Sequence, residues 1–422
     1  RRNRSRLSPS HPLSPSHFSH PLTSHPLTSN ISLKSGRCHF IFVVRRERFA
    51  ETTCKSLPPT MLRLVFALVL LFHGLIHLMG FAKAYRYAEV SQLTGEYSRS
   101  AGFFWLLSTL LFTASVLFFF LKKEWWWMAA VPAVIISQML IFGQWKDARF
   151  GTIANVIVLA GILLAYGQWK WNGMLREEVQ AFQPANLTES STLTKEMIAG
   201  LPPVVQKWME RSQVIGKKMV QQVEVKQTGR MRSKPGGNWM PVTATQYFTV
   251  PKPGFIWMAD MEAAPFITIK GRDLYQDGKG HMLIKALALF SVADASGAAT
   301  DQGSMLRYLA EICWFPSAAL NTFIQWEPVD AHSAKAIMRY GAVEGSGIFT
   351  FDENGDIRSF EAMRYYERKG GATLEKWHID MDPASFKTFE GIRIPAKSTV
   401  TWKLATGDFL WLELEILEKR EM

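Results

Sequence analysis

Residues 347–366 read GIFTFDENGDIRSFEAMRYY, and this stretch decides the fold class of the larger part of the chain. Two runs with the alternation of β-strands flank a polar centre, Asp-Glu-Asn-Gly-Asp. Asn354 and Gly355 are the residue types that supply positive φ angles in a tight hairpin turn. The stretch therefore predicts two antiparallel strands, Gly347–Asp352 and Ile357–Tyr366, joined at Asn354-Gly355.

Similar runs recur on both sides of this hairpin and are separated by Gly, Pro, Asn and Asp. About eleven of them predict an antiparallel meander. Besides the two above, they are Val220–Gly229, Val242–Val250, Phe255–Met261, Phe266–Tyr275, His281–Lys285, Ala334–Tyr340, Thr373–Met381, Arg393–Leu404 and Phe409–Glu418.

One segment interrupts the meander. Leu287–Ala299 is ambiguous, Met305–Cys313 has helical spacing, and a short helix is expected to run on through Leu320. An apolar helix inserted into a long curved sheet is best buried against its concave face. We therefore expect a half-barrel with a helical plug.

Four apolar runs precede the meander: Leu62–Phe81, Ala101–Leu121, Trp125–Phe142 and Thr152–Trp169. Each is near the roughly 20 residues that cross a bilayer, and tryptophans lie where the runs meet polar loops. Residues 61–172 are therefore predicted to form a four-helix transmembrane bundle. Five basic residues on each side leave its orientation undecided. We expect residues 173–215 to be a linker with amphipathic helices, and residues 216–422 to be the β domain.

Charge and cysteine content exclude several classes of protein. The net charge is +12, but residues 1–60 hold ten of the 48 Lys and Arg residues and only two acids, so the β domain has no basic excess of the kind that binds nucleic acid. Three cysteines, Cys38, Cys54 and Cys313, exclude a four-cysteine zinc site and a disulfide within the folded part. The Ser-, His- and Pro-rich residues 1–60 are expected to be a disordered leader upstream of a natural start at Met61.

The β domain offers candidate ligand-binding residues but no recognised catalytic spacing, so we predict a protein that is not an enzyme. Six aromatic residues either fill the core or line a cavity beneath the plug; they are Trp257, Trp314, Phe315, Trp326, Tyr340 and Trp377. Arg307, Tyr308 and Glu311 on the plug complete the predicted set. Glu311 lies one turn beyond Arg307, which favours a surface salt bridge over a general acid. His378 and Asp380 lie two residues apart in a predicted strand and so point the same way. This would suit an acid/base pair, and an exposed strand face explains it equally well.

In the first apolar run, His73 and His77 lie four residues apart on one helix face. This spacing allows both imidazoles to bind one metal ion, and it equally allows hydrogen bonds between helices. Because no intramembrane carboxylate accompanies the pair, we favour hydrogen bonding and keep the metal site as an alternative.

Three motifs carry a resemblance: residues 307–320 (RYLAEICWFPSAAL), 325–328 (QWEP) and 347–355 (GIFTFDENG). From Pro202 to Glu418 the chain resembles an uncharacterised bacterial family with a domain of unknown function. The resemblance implies a fold like that of the LolA/LolB-type lipoprotein carriers, whose curved sheet and helical lid hold acyl chains. Residues 72–81 (FHGLIHLMGF) resemble DoxX-like membrane proteins.

The resulting prediction is an α+β protein in which a four-helix transmembrane bundle precedes a LolA-like half-barrel with a helical plug. We expect a binding protein of the bacterial inner membrane that holds a lipid or another apolar small molecule. Its expected partners are that ligand and the lipid bilayer, without nucleic acid and without a cofactor. The alternatives are a redox-associated membrane protein that uses His73 and His77, and a non-catalytic structural or assembly protein.

Overall fold

The computed structural model describes residues 59–182, 190–368 and 370–421. The predicted disordered leader lies outside these residues, except for its last two positions, which begin the first helix.

The N-terminal part is a group of apolar helices: α1 (Pro59–Ala84), α2 (Arg99–Phe120), α3 (Trp127–Gly143), the one-turn α4 (Trp145–Ala148) and α5 (Gly151–Phe182). Among the described residues, α1, α2 and α5 are long and apolar enough to cross a membrane. Helix α3 has 17 residues, about 25 Å at the helical rise, which is short of the hydrocarbon core. It ends because Gln144 leaves the helical conformation, with φ −125°. The four predicted apolar helices are present, three of them of spanning length and one shorter.

These helices have a close-packed interior and an apolar exterior. A Cβ on Gly74 of α1 would lie 2.7 Å from the Cβ of Phe112 on α2, so only glycine allows this approach. On the outside, Phe72, Ile76 and Phe142 are 58%, 58% and 65% exposed. An exterior of large exposed apolar side chains suits hydrocarbon better than water.

The C-terminal part begins with two short helices, α6 (Lys195–Ile198) and α7 (Pro203–Arg211), which break where the Pro202-Pro203 pair predicts. Fifteen described strands follow: β1 (Gln222–Met231), β2 (Met240–Thr249), β3 (Gly254–Ala264), β4 (Ile267–Gln276), β5 (Lys279–Ala286), β6 (Phe290–Ser296), β7 (Ile324–Pro328), β8 (Ser333–Tyr340), β9 (Val343–Phe351), β10 (Ile357–Tyr366), β11 (Thr373–Met381), β12 (Phe386–Phe389), β13 (Ile392–Pro395), β14 (Lys397–Leu404) and β15 (Gly407–Glu421).

All of these strands except the β12–β13 hairpin form one antiparallel sheet of 13 strands. Two meanders, β1–β6 and β7–β11 with β14, are joined because the long β15 pairs with β1 on one side and β14 on the other. Helix α8 (Ala298–Glu311) contacts β4–β6 near one edge of the sheet and β8–β10 near the other. A sheet that reaches both sides of one helix is curved, so the predicted half-barrel with a helical plug is confirmed.

Several elements differ from their predictions, and the short strands β7 and β12 were not predicted at all. The ambiguous segment contains the edge strand β6, which follows a turn in which Leu287 and Ala288 have φ of 54° and 59°. The run Arg393–Leu404 is divided into β13 and β14 at Ala396. Helix α8 begins at Ala298 rather than Met305, and Asp301 in its first turn ties it to the sheet by accepting a hydrogen bond from the backbone N–H of Gly280 on β5.

The hairpin predicted at Asn354-Gly355 is present, but its turn is longer than two residues. Residues 352–356 separate β9 from β10, and Gly355, with φ 89°, is the one residue among them with positive φ. Asp352 and Asp356 close the loop through backbone hydrogen bonds. Arg211 at the end of α7 and Arg393 on β13 both pair with Asp356, so tertiary ion pairs hold this turn in place of a two-residue Asn-Gly loop.

Helix α5 connects the two parts because it continues past the apolar run and lies on the outer face of the sheet. Neighbouring side chains of a strand point to opposite faces. On β4, Asp273 bonds to Arg307 of α8 on the inner face, whereas Arg272 pairs with Glu178 of α5 at 2.9 Å on the outer face. Nearer the apolar end of α5, Trp171 packs against β5. The sheet at β4 and β5 therefore lies between α8 and α5.

Candidate functional site

A recessed cavity, here called the inner cavity, lies on the inner face of the half-barrel beside the C-terminal end of α8. Its volume is about 150 Å³. Strands β1 and β3–β5 of one meander, β10, β11 and β14 of the other and the joining strand β15 form its wall, together with residues of α8 and the segment after it. An apolar cavity of this volume takes a six-carbon ring. The inner cavity is thus sized for a small apolar group or for one segment of an alkyl chain.

Two side-chain types dominate the wall of the inner cavity. They are Met231, Met261, Met282 and Met381, and Trp257, Trp314, Trp377 and Trp411. Methionine side chains are flexible and polarisable and adapt to ligands of different shapes. Tryptophan adds a large apolar area with one polar N–H group. Such a wall binds apolar groups without a strict demand on their shape.

A buried ion-pair network borders the inner cavity on its α8 side. The Arg307 guanidinium donates to Glu311 Oε1 and Asp273 Oδ2, each at 2.8 Å, and Gln246 Nε2 donates to Glu311 Oε2 at 2.8 Å. The guanidinium also lies 4.9 Å from the ring centroid of Trp257. The predicted salt bridge of Arg307 with Glu311 is present, but it is not a surface pair: the two side chains are 15% and 10% exposed because the sheet covers α8.

Burial changes the acid–base properties of this network. It raises the pKa of Glu311, and the Arg307 guanidinium offsets part of that rise. For Arg307, burial alone lowers the pKa, but Glu311 and Asp273 together outweigh it and the pKa is raised. Arg307 is therefore a fixed cation that both carboxylates depend on.

A second arginine, Arg364 on β10, also lines the inner cavity. Its guanidinium lies 4.6 Å from the ring centroid of Trp377 and 5.8 Å from that of Trp402. Within the described part of the chain, no carboxylate lies at ion-pair distance from it. Burial lowers the pKa of Arg364 to about 10, partly offset by Asp273. Arg364 thus stays cationic at neutral pH and keeps unused hydrogen-bond donors.

Two indole N–H groups add to this excess of donors. The Nε1 atoms of Trp377 and Trp411 are buried and have no acceptor among the described residues. A buried donor without an acceptor costs about 1–3 kcal/mol, which an acceptor on a bound ligand would offset. The acceptors in the wall, Asp273 and Glu311, are already bonded to Arg307.

The nine residues predicted to bind a ligand fall into two groups. Trp257, Arg307, Glu311, Trp314 and Trp377 line the inner cavity. The others belong to the core or pack against it: Tyr308 and Phe315 are fully buried, and the partly buried Trp326 and Tyr340 pack on Phe349 and Phe323. For the five that are brought together, ligand binding stays a prediction.

Sequence reasoning missed Arg364, Trp411 and the four methionines. A signal for Arg364 existed, because Phe360, Ala362 and Arg364 alternate on the face of β10 that points inward. An arginine in that register is unusual enough to mark the position. No comparable signal marks the methionines, since they differ little from core residues until the curvature of the sheet is known.

A larger groove of about 720 Å³ lies between β1, β11, β14 and β15 and opens to solvent. Its charged groups pair with one another, as Arg230 does with Glu413 at 2.6 Å. His378 and Asp380 lie 3.0 Å apart with Asp380 59% exposed, and His378 also approaches Glu361 at 3.4 Å. These are solvated pairs on strand faces, which leave the inner cavity as the better site.

The histidines of α1 belong to a polar cluster between helices. His73 donates from Nε2 to Asn155 Oδ1 at 2.8 Å, and His77 donates from Nδ1 to the carbonyl of His73 at 2.6 Å. The other ring nitrogen of His77 is hydrogen-bonded to Ser137 at 2.9 Å. In the described ranges, no three His, Cys, Asp or Glu side chains are grouped as metal ligands. A metal at His73 and His77 stays a prediction.

Comparisons with known proteins give two similar solved structures. One is a domain described as a candidate outer membrane lipoprotein-sorting protein from Vibrio parahaemolyticus, with a TM-score of 0.27. The other is a DUF1329 family protein from Desulfovibrio piger, with a TM-score of 0.28. Each alignment has 10% identity and covers 52% of this chain and 91% of the other. Because both TM-scores are this low, the fold assignment rests on the strand pairing within this chain and not on these two structures. No curated protein matches the sequence.

A family match identifies the C-terminal part. Residues 191–414 match the family of unknown function DUF6544, a range close to the predicted Pro202–Glu418. The match leaves the apolar helices outside it, so the resemblance of residues 72–81 to DoxX-like proteins stays a prediction. Because the matched range exceeds half of the 422 residues, the chain belongs to the DUF6544 family.

Proposed function

We propose that this protein is a membrane-anchored binding protein whose half-barrel holds an apolar chain or ring in the inner cavity. The observation that carries the proposal is a recess of about 150 Å³ with a wall of methionine and tryptophan. A core that served stability alone would be filled, because each unfilled volume costs free energy. The cavity is too small for a whole phospholipid, so its guest is one chain segment or a small apolar molecule.

The anchor follows from α1, α2 and α5, which have the length and composition of membrane spans. Helix α5 is 32 residues long, about 48 Å, and so exceeds the hydrocarbon core by roughly 18 Å. The additional length carries Trp171 and Glu178 onto the outer face of the sheet. One continuous helix thus holds the β domain at a fixed distance from the bilayer.

The end of the sheet nearest the bilayer carries exposed apolar side chains. At Gly167 of α5 the backbone lies so close to Leu289 that an added Cβ would be 2.5 Å from the leucine side chain. This contact places the turns before β4 and β6 beside the segment where α5 leaves the membrane. At those turns Phe266 and Phe290 are 52% and 65% exposed, as suits residues that enter the interfacial layer. A guest from the bilayer thus has a short path to the inner cavity.

Photolabelling tests the binding proposal with the full chain in lipid nanodiscs. The probe is an uncharged ten-carbon alcohol that carries a diazirine, and labelled peptides are mapped by mass spectrometry. We expect labels on strands that line the inner cavity, including the peptide with Met261. Ala310, which lines the cavity from α8, is replaced in Ala310→Leu to fill part of it, and labelling of these strands should fall several-fold.

The matched control is Ala298→Leu, which makes the same change at an exposed position at the start of α8. It should leave labelling at the parent level. Labels confined to α1, α2 and α5 in the parent protein, or equal labelling in Ala310→Leu and the parent, would contradict the proposal. Either result favours a structural or assembly role with a solid core.

A further inference from the structure

We propose that the natural guest is an anionic single-chain amphiphile whose charged head group binds Arg364 while its chain occupies the inner cavity. This inference rests on the proposed function and adds the class of the ligand and the residue that selects it. The observation behind it is an arginine that has aromatic neighbours but no acid partner at the wall of an apolar cavity.

The absence of a partner for Arg364 is built into the sheet. The residue directly opposite Arg364 on β11 is Glu375, which the register places on the same face. Glu375 is instead held by Arg368 at 2.6 Å and by the Thr373 hydroxyl at 3.0 Å. Glu375, the acid that the strand register brings opposite Arg364, is therefore paired with Arg368. The Arg364 guanidinium keeps its donors for a group from outside the protein.

The two arginines of the inner cavity differ in this respect. Arg307 donates to two carboxylates, Glu311 and Asp273, and its third nitrogen donates to Gln246. Arg364 is more than 4 Å from any carboxylate among the described residues, since none is at ion-pair distance. Arg307, Arg364, Asp273 and Glu311 sum to zero charge, with the positive end of the arrangement at Arg364. An anion in the cavity is attracted to that end.

The wall around Arg364 also favours an acceptor over a donor. The unpaired indole N–H groups of Trp377 and Trp411 border the same cavity, and the Arg364 guanidinium is stacked on Trp377. A carboxylate, sulfonate or phosphate oxygen accepts hydrogen bonds from groups of this kind, and charge-assisted bonds are the stronger ones. A neutral alcohol or amine head group gains less.

The volume sets the number of chains. About 150 Å³ holds roughly six carbon atoms in a compact arrangement. A segment of one alkyl chain with the anionic head at Arg364 meets this limit, whereas segments of the two chains of a phospholipid together do not. The structure thus points to a free fatty acid or a similar single-chain anion rather than to an intact anionic phospholipid.

The test compares two diazirine probes on the full chain in zwitterionic nanodiscs at pH 8: a ten-carbon carboxylate and the matching alcohol. In the parent protein the carboxylate should label the cavity strands at about tenfold lower concentration than the alcohol. In Arg364→Gln this advantage should disappear, so that the two probes label the cavity strands at similar concentrations. Arg364→Lys should retain part of it. Arg339→Gln, an exposed strand arginine paired with Glu344, should behave as the parent.

The outcomes separate this inference from the proposed function. If the alcohol labels the cavity strands and Arg364→Gln changes both probes equally or neither, the anionic head group is refuted and the binding function stands. If neither probe labels the cavity strands, the binding function itself fails. Competition by unlabelled decanoate but not by phosphatidylglycerol supports a single chain. Equal competition by phosphatidylglycerol would overturn that assignment.

Discussion

Replacing Arg307 with methionine removes one cation from the inner face of the half-barrel and leaves two carboxylates behind. Glu311 and Asp273 are 10% and 12% exposed as side chains, and their oxygens are directed at the guanidinium. Methionine fills a similar length but donates no hydrogen bond. The variant therefore isolates two buried acids from their shared partner.

The expected loss of stability can be bounded in two ways. Removing one member of a buried ion pair costs about 3–5 kcal/mol. An orphaned glutamate can also take up a proton, and at pH 7 this costs about 3.7 kcal/mol, because each of the roughly 2.7 pH units above its ordinary pKa contributes about 1.4 kcal/mol. The two figures agree, and we expect Arg307→Met to lose about 4 kcal/mol.

Cys313 provides a local probe of this loss. Among the described residues it is the free cysteine. Its side chain is buried, with 3% of the residue exposed, and it lies two residues after the end of α8. With Cys38 and Cys54 changed to serine, it is the remaining thiol of the chain. Its rate of modification by 4,4′-dithiodipyridine in nanodiscs then reports the opening of the half-barrel. A loss of 4 kcal/mol predicts a rate increase of nearly a thousandfold.

A control variant and a series of pH values test the role of the buried ion pairs. The exposed pair of Arg339 and Glu344 should contribute less than about 1 kcal/mol, so Arg339→Met should change the rate little. Burial raises the pKa of Glu311, so the folded variant binds its proton more tightly than the unfolded chain does. The free energy of unfolding of Arg307→Met should therefore rise, relative to that of the parent, as the pH falls from 7 to 5. An Arg307→Met rate within tenfold of the parent at pH 7 would refute the buried network.

Three further predictions concern other parts of the chain. Asp301→Ala removes the carboxylate that anchors the first turn of α8 and should accelerate Cys313 modification about tenfold or more, measured in the same assay. A spin label at Phe290→Cys should collide with lipid-soluble oxygen more often than with a water-soluble nickel complex, whereas a label at the exposed Ala342→Cys should show the reverse. The double variant His73→Ala, His77→Ala should match the parent in metal content and visible absorption, because hydrogen bonds already occupy these rings; a metal lost with the pair would restore the redox alternative.

The strands were predictable where one face of the sheet is buried. The run that became β15 was recognisable because Leu412, Leu414 and Ile416 pack in or against the core while Glu413 and Glu415 alternate with them. Strand β6 was ambiguous because it lies at the edge, where Phe290 and Val292 are 65% and 60% exposed. Its large apolar side chains are exposed rather than buried in the core, so the alternation of apolar and polar residues does not mark a buried face at this edge.

The candidate site was predictable only in part, for a related reason. Arg307 and Glu311 are one helical turn apart, so their pairing follows from local geometry. The burial of this pair could not be predicted in the same way. It depends on Asp273 of β4 and Gln246 of β2, which contact α8 because the sheet is curved. The unpaired state of Arg364 depends on which of two arginines takes Glu375. Single-sequence patterns do not contain such choices between tertiary partners.

The two arginines of the inner cavity differ in their contribution to folding. Arg307 neutralises two buried acids, so its loss destabilises the fold. Arg364 has no acid partner, and its burial is offset only in part by stacking on Trp377. Removing it leaves no orphaned charge, so an apolar residue at position 364 would cost the fold little or would stabilise it. A half-buried cavity arginine that folding does not need is best explained by a charge that arrives from outside, and the apolar wall around it means that this charge comes attached to a chain.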